Sequence, residues 1–175
     1  MQLDLPNLIV TPGKGLFHCM ACGAAGNAMD VLNRHGLVDV LCGLKQPVLG
    51  ICLGMQLLFE SSEEDNAKML GIIPARLKRL AGHGGLRVPH MGWNNIRIEQ
   101  SHPLLSGLGA DDEFYFVHSY YPDPQAADTV IAVTDYGISF ASIVGTNNLF
   151  ATQFHLEKSG RAGLKILDNF CKWKP

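Results

Sequence analysis

A chain of 175 residues, 47% hydrophobic and 17% charged, has room for one domain with a substantial core. Its formal net charge of −2 offers no bulk attraction to nucleic acid or an anionic membrane, and no apolar run approaches the ~18 residues of a bilayer span. Five irregularly spaced cysteines do not make a secreted disulfide framework, and the N-terminus lacks a signal-peptide pattern, so a cytoplasmic protein is expected.

In chain order, Asn7–Thr11 reads as a short buried strand, stopped by Pro12-Gly13-Lys14-Gly15. Residues 26–35 read as a helix with Ala28, Val31, Leu32 and His35 on one face and Gly36 as its C′ residue. A second short helix is expected over Leu37–Leu44, then a strand over Pro47–Ile51 and a helix over Met55–Phe59. From about residue 70 the pattern turns to β. Strands are expected over Ile72–Leu80, Asn94–Ile98, Phe114–His118, Val130–Thr134, Ser139–Val144 and Leu149–Phe154. Ser159–Phe170 closes the chain as an amphipathic helix with Leu164, Ile166, Leu167 and Phe170 inward. No repeat or linker divides the sequence. The expectation is one α/β domain, 1–175, around a predominantly parallel sheet.

Two segments carry chemistry. Gly50-Ile51-Cys52-Leu53-Gly54-Met55-Gln56 reads as strand, tight turn and helix with a cysteine at the corner. Flanking glycines suit a corner where backbone crowds the space of a Cβ, and a sulfur at a helix N-terminus favours the thiolate. His155-Leu156-Glu157 supplies a base and an orienter, since side chains at i and i+2 of an extended segment lie on one side. Alone, each piece has a plainer reading, a cysteine in the core and a structural histidine. Together they form a candidate triad.

The segments Pro47–Glu60, Val88-Pro-His-Met-Gly-Trp-Asn94, Phe114-Tyr-Phe-Val-His-Ser-Tyr120 and Thr152-Gln-Phe-His-Leu-Glu-Lys-Ser159 resemble class I (triad) glutamine amidotransferases. Within that class they are most similar to the glutaminase subunits of imidazole glycerol phosphate synthase. The resemblance implies a flavodoxin-like three-layer fold and hydrolysis of L-glutamine to glutamate and ammonia, without cofactor or metal. It implies Cys52 as nucleophile, His155 as acid and base, and Glu157 as its orienter. Gly13-Lys14-Gly15 stands where the family has an oxyanion loop, so the N–H groups of Lys14 and Leu53 would face the oxyanion. Gly15, Gln56, Glu64, Ser119 and Tyr120 fall at positions that bind glutamine. Glu64 suits the α-ammonium, although in the run Glu63-Glu64-Asp65 it also reads as a solvated charge. Trp93, Tyr115 and Lys158 match the interface with a (β/α)8-barrel synthase partner that would use the ammonia. Taken bare, the two aromatics read as core residues.

Three departures stand out. Leu156 replaces the usual proline, which predicts a modest effect on the turn. The strand, helix and strand that precede the oxyanion loop in family members have no counterpart before residue 12, so a first βαβ unit is expected to be missing. Finally, residues 14–26, with Cys19 and Cys22, resemble half of a DNA-primase-type zinc ribbon. A lone Cys-x2-Cys is a weak zinc signal, and an atypical loop over 16–25 is the expectation. A nucleic-acid-binding remnant and a catalytically impaired subunit are the alternatives that follow.

Overall fold

In the computed structural model, which describes residues 8–10, 15–19, 24–82, 85–124 and 127–175, the run before the cysteine turn is a strand buried along its length. Two short strands come first, β1 (Leu8–Val10) and β2 (Gly15–Cys19), followed by helices α1 (Ala25–Arg34) and α2 (Val38–Cys42). Strand β3 (Val48–Ile51) leads into the corner and helix α3 (Leu53–Gln56), and then come β4 (Phe59–Ser62) and β5 (Ile73–Arg79). The β-rich half runs through β6 (His90–Asn95), β7 (Arg97–Ile98), β8 (Glu113–His118) and β9 (Tyr120–Pro124). Strands β10 (Val130–Asp135), β11 (Ser139–Thr146) and β12 (Leu149–Thr152) precede the last helix, α4 (Gly160–Lys172).

Seven strands form the main sheet, in the order β1-β2-β3-β12-β11-β10-β7. Only β2–β3 and β3–β12 pair in parallel, so the expectation of a predominantly parallel sheet is corrected. The reason is connection length. β10, β11 and β12 are joined by turns of two or three residues, and short hairpins can link only antiparallel neighbours. Asn147, at φ 46°, takes the left-handed conformation that one of these turns uses. Two smaller sheets, β4-β5-β9 and β6-β8, complete the strands.

Alternation along the central strands feeds two cores. Val48, Leu149, Ala151, Ala141 and Val144 face α1 and the β4-β5 side, while Leu49, Ile51, Phe150 and Ile143 face β8 and α4. The sheet is therefore covered on both faces, and the expected three-layer α/β architecture holds. Helix α1 ends as its sequence foretells. Gly36 takes φ 63°, its N–H donates to the Asn33 carbonyl, and the Leu37 N–H donates to the Leu32 carbonyl. That is the Schellman pattern. The inward face is Ala25, Ala28, Met29 and Leu32, with His35 exposed rather than on the buried face.

Other expectations need correcting. The helix after the corner is four residues long, because Phe59 leaves it to start β4, where it pairs with Ile73 of β5 and is completely buried. A run such as Met55–Phe59 satisfies either a short helix or a strand, so tertiary pairing decides. Residues 16–19, expected in an atypical loop, belong to β2 beside the corner strand. The sequence Leu-Phe-His-Cys can extend, and β3 offers it an edge. Leu164 on α4 is exposed rather than inward, while Ile166 and Phe170 carry the buried face.

Candidate active site

The corner at residue 52 is strained and tightly enclosed. Cys52 has φ 50° and ψ −106°, a conformation that costs a non-glycine residue about 1–3 kcal/mol. Its N–H is held by the Thr152 carbonyl of β12 at 2.8 Å, and its own carbonyl accepts from Met55 N–H at 3.0 Å and Gln56 N–H at 3.1 Å. Those bonds end the strand and start α3. Gly50 is required by contact: a Cβ there would lie 2.9 Å from the Gly54 oxygen and 3.0 Å from the Ala151 Cβ. Leu53, the first residue of α3, has an N–H with no acceptor inside the helix.

Strand β12 lies next to β3 and delivers the second segment to the same end of the sheet. Just beyond it, His155 N–H donates to the Tyr115 carbonyl at 2.9 Å, pinning the segment to β8. Ser159 fastens it again, donating from Oγ to the His155 carbonyl at 2.6 Å and accepting from Tyr115 N–H at 3.0 Å. His155 Nδ1 lies 2.7 Å from Glu157 Oε1. The hydrogen bond with Cys52 and then that with Glu157 push His155 up to about 9, against the opposing effect of burial. The segment is not extended throughout. His155 is extended, but residues 156–158 form a single 3₁₀ turn that still brings the carboxylate to the imidazole. Leu156, in the proline's place, is fully buried among the residues facing α4 and anchors the turn by packing.

Around the Cys52 sulfur, the Val117 carbonyl lies at 3.9 Å and Gln153 Nε2 at 3.7 Å. Gln56 donates from Nε2 to the Tyr120 carbonyl and to Gln153 Oε1, both at 3.1 Å. The same Tyr120 carbonyl lies 2.9 Å from His118 Nδ1, and His118 Nε2 lies 3.1 Å from His90 Nδ1. Gln153, His90 and His118 form part of this site's polar framework but were not singled out from the sequence. The first sits in the Thr152–Ser159 segment and the histidines in the segments around Trp93 and Tyr115, so the signal was polar residues within otherwise buried β-runs.

The remaining sequence candidates divide. Gly13 and Lys14 lie outside the described residues. Gly15 pairs with Val48, at the amino end of β3, whereas Cys52 follows its carboxyl end. Four residues of strand, roughly 13 Å, separate the two levels, so Gly15 is not brought to the sulfur. The cause is the direction of β2, whose first residue is Gly15. Glu64 accepts from Ala25 N–H at 2.8 Å and so caps the start of α1. The Ser119 carbonyl accepts from Leu80 N–H at 2.8 Å. Trp93, Tyr115 and Lys158 do converge. The two aromatics face each other across β6 and β8 at 5.8 Å, and Lys158 Nζ stands 5.7 Å from the Tyr115 ring. Trp93 is 53% exposed, so the reading of it as a core aromatic is corrected.

A cysteine elbow, an imidazole and a carboxylate at one end of the sheet have the make-up of a nucleophile, a base and its orienter. Residues 7–173 match the family described as "Glutamine amidotransferase class-I", and the chain belongs to that family. It is 46% identical over 175 residues to the imidazole glycerol phosphate synthase subunit HisH of Chromobacterium violaceum, covering 96% of this chain and 82% of the relative. It is 48% identical over 173 residues to the HisH subunit of Neisseria meningitidis, covering 94% and 78%. Within the class, the chain thus falls among the HisH glutaminase subunits of histidine biosynthesis. A crystal structure of a glutamine amidotransferase superposes with a TM-score of 0.61 at 17% identity, covering 90% of this chain and 77% of the other. Another from Thermotoga maritima gives 0.58 at 16% identity, covering 91% and 63%. These establish the flavodoxin-like fold type. The half zinc ribbon at residues 14–26 gains no support: Cys22 lies outside the described residues, and the amidotransferase match spans this segment. Among the described residues no group of three or more His, Cys, Asp or Glu could hold a metal, and no helix is long and apolar enough to cross a membrane.

Proposed function

We propose that Cys52, His155 and Glu157 hydrolyse L-glutamine and that the ammonia passes to a (β/α)8-barrel synthase subunit docked over Trp93, Tyr115 and Lys158. The observation that carries this reading is the His155 imidazole, 2.7 Å from Glu157 and delivered by β12 to the same end of the sheet as the Cys52 corner that follows β3. The Cys52 sulfur attacks the carboxamide carbon, and the carbonyl oxygen takes the negative charge, facing the Leu53 N–H. His155, held protonated at neutral pH, gives its proton to the nitrogen as the C–N bond breaks and ammonia leaves. A γ-glutamyl thioester remains on Cys52. His155, now neutral, takes a proton from water as the water oxygen attacks the thioester, and the C–S bond breaks to release glutamate.

Gln56 and the backbone of Ser119 and Tyr120 bound the glutamine site, with Glu64 set to meet the α-ammonium from the α1 terminus. Ammonia is mostly protonated in neutral water, which gives a reason to deliver it directly to a partner. There it would complete imidazole glycerol phosphate and release AICAR, in the cytoplasm. A second reading, an impaired subunit, is favoured by the position of Gly15 at the far end of β3. One experiment addresses both. Glutamate release is measured for wild type and Cys52→Ala, with and without the barrel subunit and its ligand. The wild type should release glutamate in the complex and Cys52→Ala should lose at least a thousandfold; no Cys52-dependent release in any mixture would leave only the impaired subunit.

A further inference from the structure

Gln153 is fully buried, one residue past β12, and its amide is oriented by groups that have no choice of role. The Tyr120 carbonyl can only accept, so the side chain of Gln56 must present its NH2 to it, at 3.1 Å. The second proton of that same nitrogen points to Gln153 at 3.1 Å, and therefore meets the Gln153 oxygen. The Gln153 NH2 is left facing the Cys52 sulfur at 3.7 Å. Each amide is fixed by the next, and the series ends on the reacting atom.

A thiol is a weak acceptor and a thiolate a strong one. A buried N–H with the sulfur as its partner is unpaired in effect when the sulfur is neutral and well paired when it is charged. Resting on the reading of Cys52 as nucleophile, we infer that Gln153 is a further catalytic residue, an N–H donor that holds the Cys52 thiolate in the attacking position, with Gln56 as the positioning residue that sets its direction. Gln56 would then serve the site twice, because its own oxygen stays available beside the bound glutamine while its nitrogen is committed inward.

Alkylation of Cys52 by iodoacetamide, followed by peptide-resolved mass spectrometry, reads the sulfur without glutamine or partner. Its outcome is therefore separable from the glutamate-release assay, on which the glutaminase reading stands. Gln153→Met keeps volume and removes the donor. The expected result is alkylation about tenfold slower at pH 7, the worth of one charge-assisted hydrogen bond, with the difference vanishing in strong alkali, where any thiol is deprotonated without help. Equal rates at pH 7 would overturn the inference, and so would an equal slowing at both pH values, since a packing role does not depend on the charge of sulfur. Gln56→Met leaves Gln153 in place but frees its amide to turn, and carries the test if Gln153→Met does not fold. It should slow alkylation at pH 7 by a smaller factor, and an unchanged rate would overturn the inference equally.

Discussion

At the scale of single residues, three histidines respond to burial and partners in opposite ways. His155 is raised to about 9 by Cys52 and Glu157, whereas desolvation lowers His90 to about 4 and His118 to about 3. The carbonyl of Tyr120 fixes the proton of His118 on Nδ1, so its Nε2 accepts from His90 Nδ1, and a second proton would set N–H against N–H. For His155 the folded value exceeds the unfolded 6.5, so its stabilisation is complete below pH 6.5 and is lost as pH rises through about 9. For the buried pair the folded values lie below 6.5, so their stabilisation is present above it and is lost as pH falls towards 4 and 3. Thermal midpoints should therefore be highest near neutrality and fall on both sides. His118→Asn, which can still donate to Tyr120, should flatten the fall between pH 6.5 and 4; an acid limb as steep as in wild type would show that carboxylates alone produce it. The corner at Cys52 and the His155–Glu157 contact were legible in the sequence because an elbow and a His-x-Glu pair are local patterns. Gln153 was not, since its role depends on which way a neighbour's amide faces, and that is fixed only when β9, α3 and β12 meet.

At the scale of elements, α4 packs closely on the turn that carries His155. A Cβ on Gly163 would sit 1.9 Å from the Leu156 carbonyl oxygen and 2.9 Å from the Ser159 Cβ, both within the segment that aims the imidazole. Gly163→Ala should cost about 1–3 kcal/mol by overpacking and displace His155 from Cys52, lowering glutamate release in the complex by tenfold or more. Thermal melts and the glutamate assay read the two effects, and a variant as active as wild type would mean the turn tolerates the shift. Leu164, its exposed neighbour, marks the other side of this helix. Helices and hydrophobic strands were largely legible, the ends of α1 and α4 especially. Strand β9 was not, because Tyr120-Tyr121-Pro122-Asp123-Pro124 carries two prolines. It lies at the edge of its sheet against β5 alone, where missing N–H groups cost least.

For the whole molecule, the sheet divides the chain into two packed faces while the site opens at one end of β3 and β12. Beside it stand Trp93 and Met91, both more than half exposed, on the two-stranded β6-β8 sheet. An exposed aromatic anchor flanked by Tyr115 and Lys158 has the make-up of an interface hot spot. Trp93→Ala should weaken binding of the barrel subunit at least thirtyfold by calorimetric titration while shifting the melting temperature of the isolated chain little. A large loss of stability with unchanged affinity would return Trp93 to a structural role. The order of strands was beyond sequence reasoning for a physical reason: alternation shows that a strand is buried, not beside which partner or in which direction it runs.

The backbone at Cys52 sets conformation and chemistry against each other. Glycine would relieve the positive φ at that corner, yet glycine has no sulfur. An easily formed corner and, on the proposed reading, a nucleophile thus pull one position in opposite directions. The residue found there records which demand prevailed.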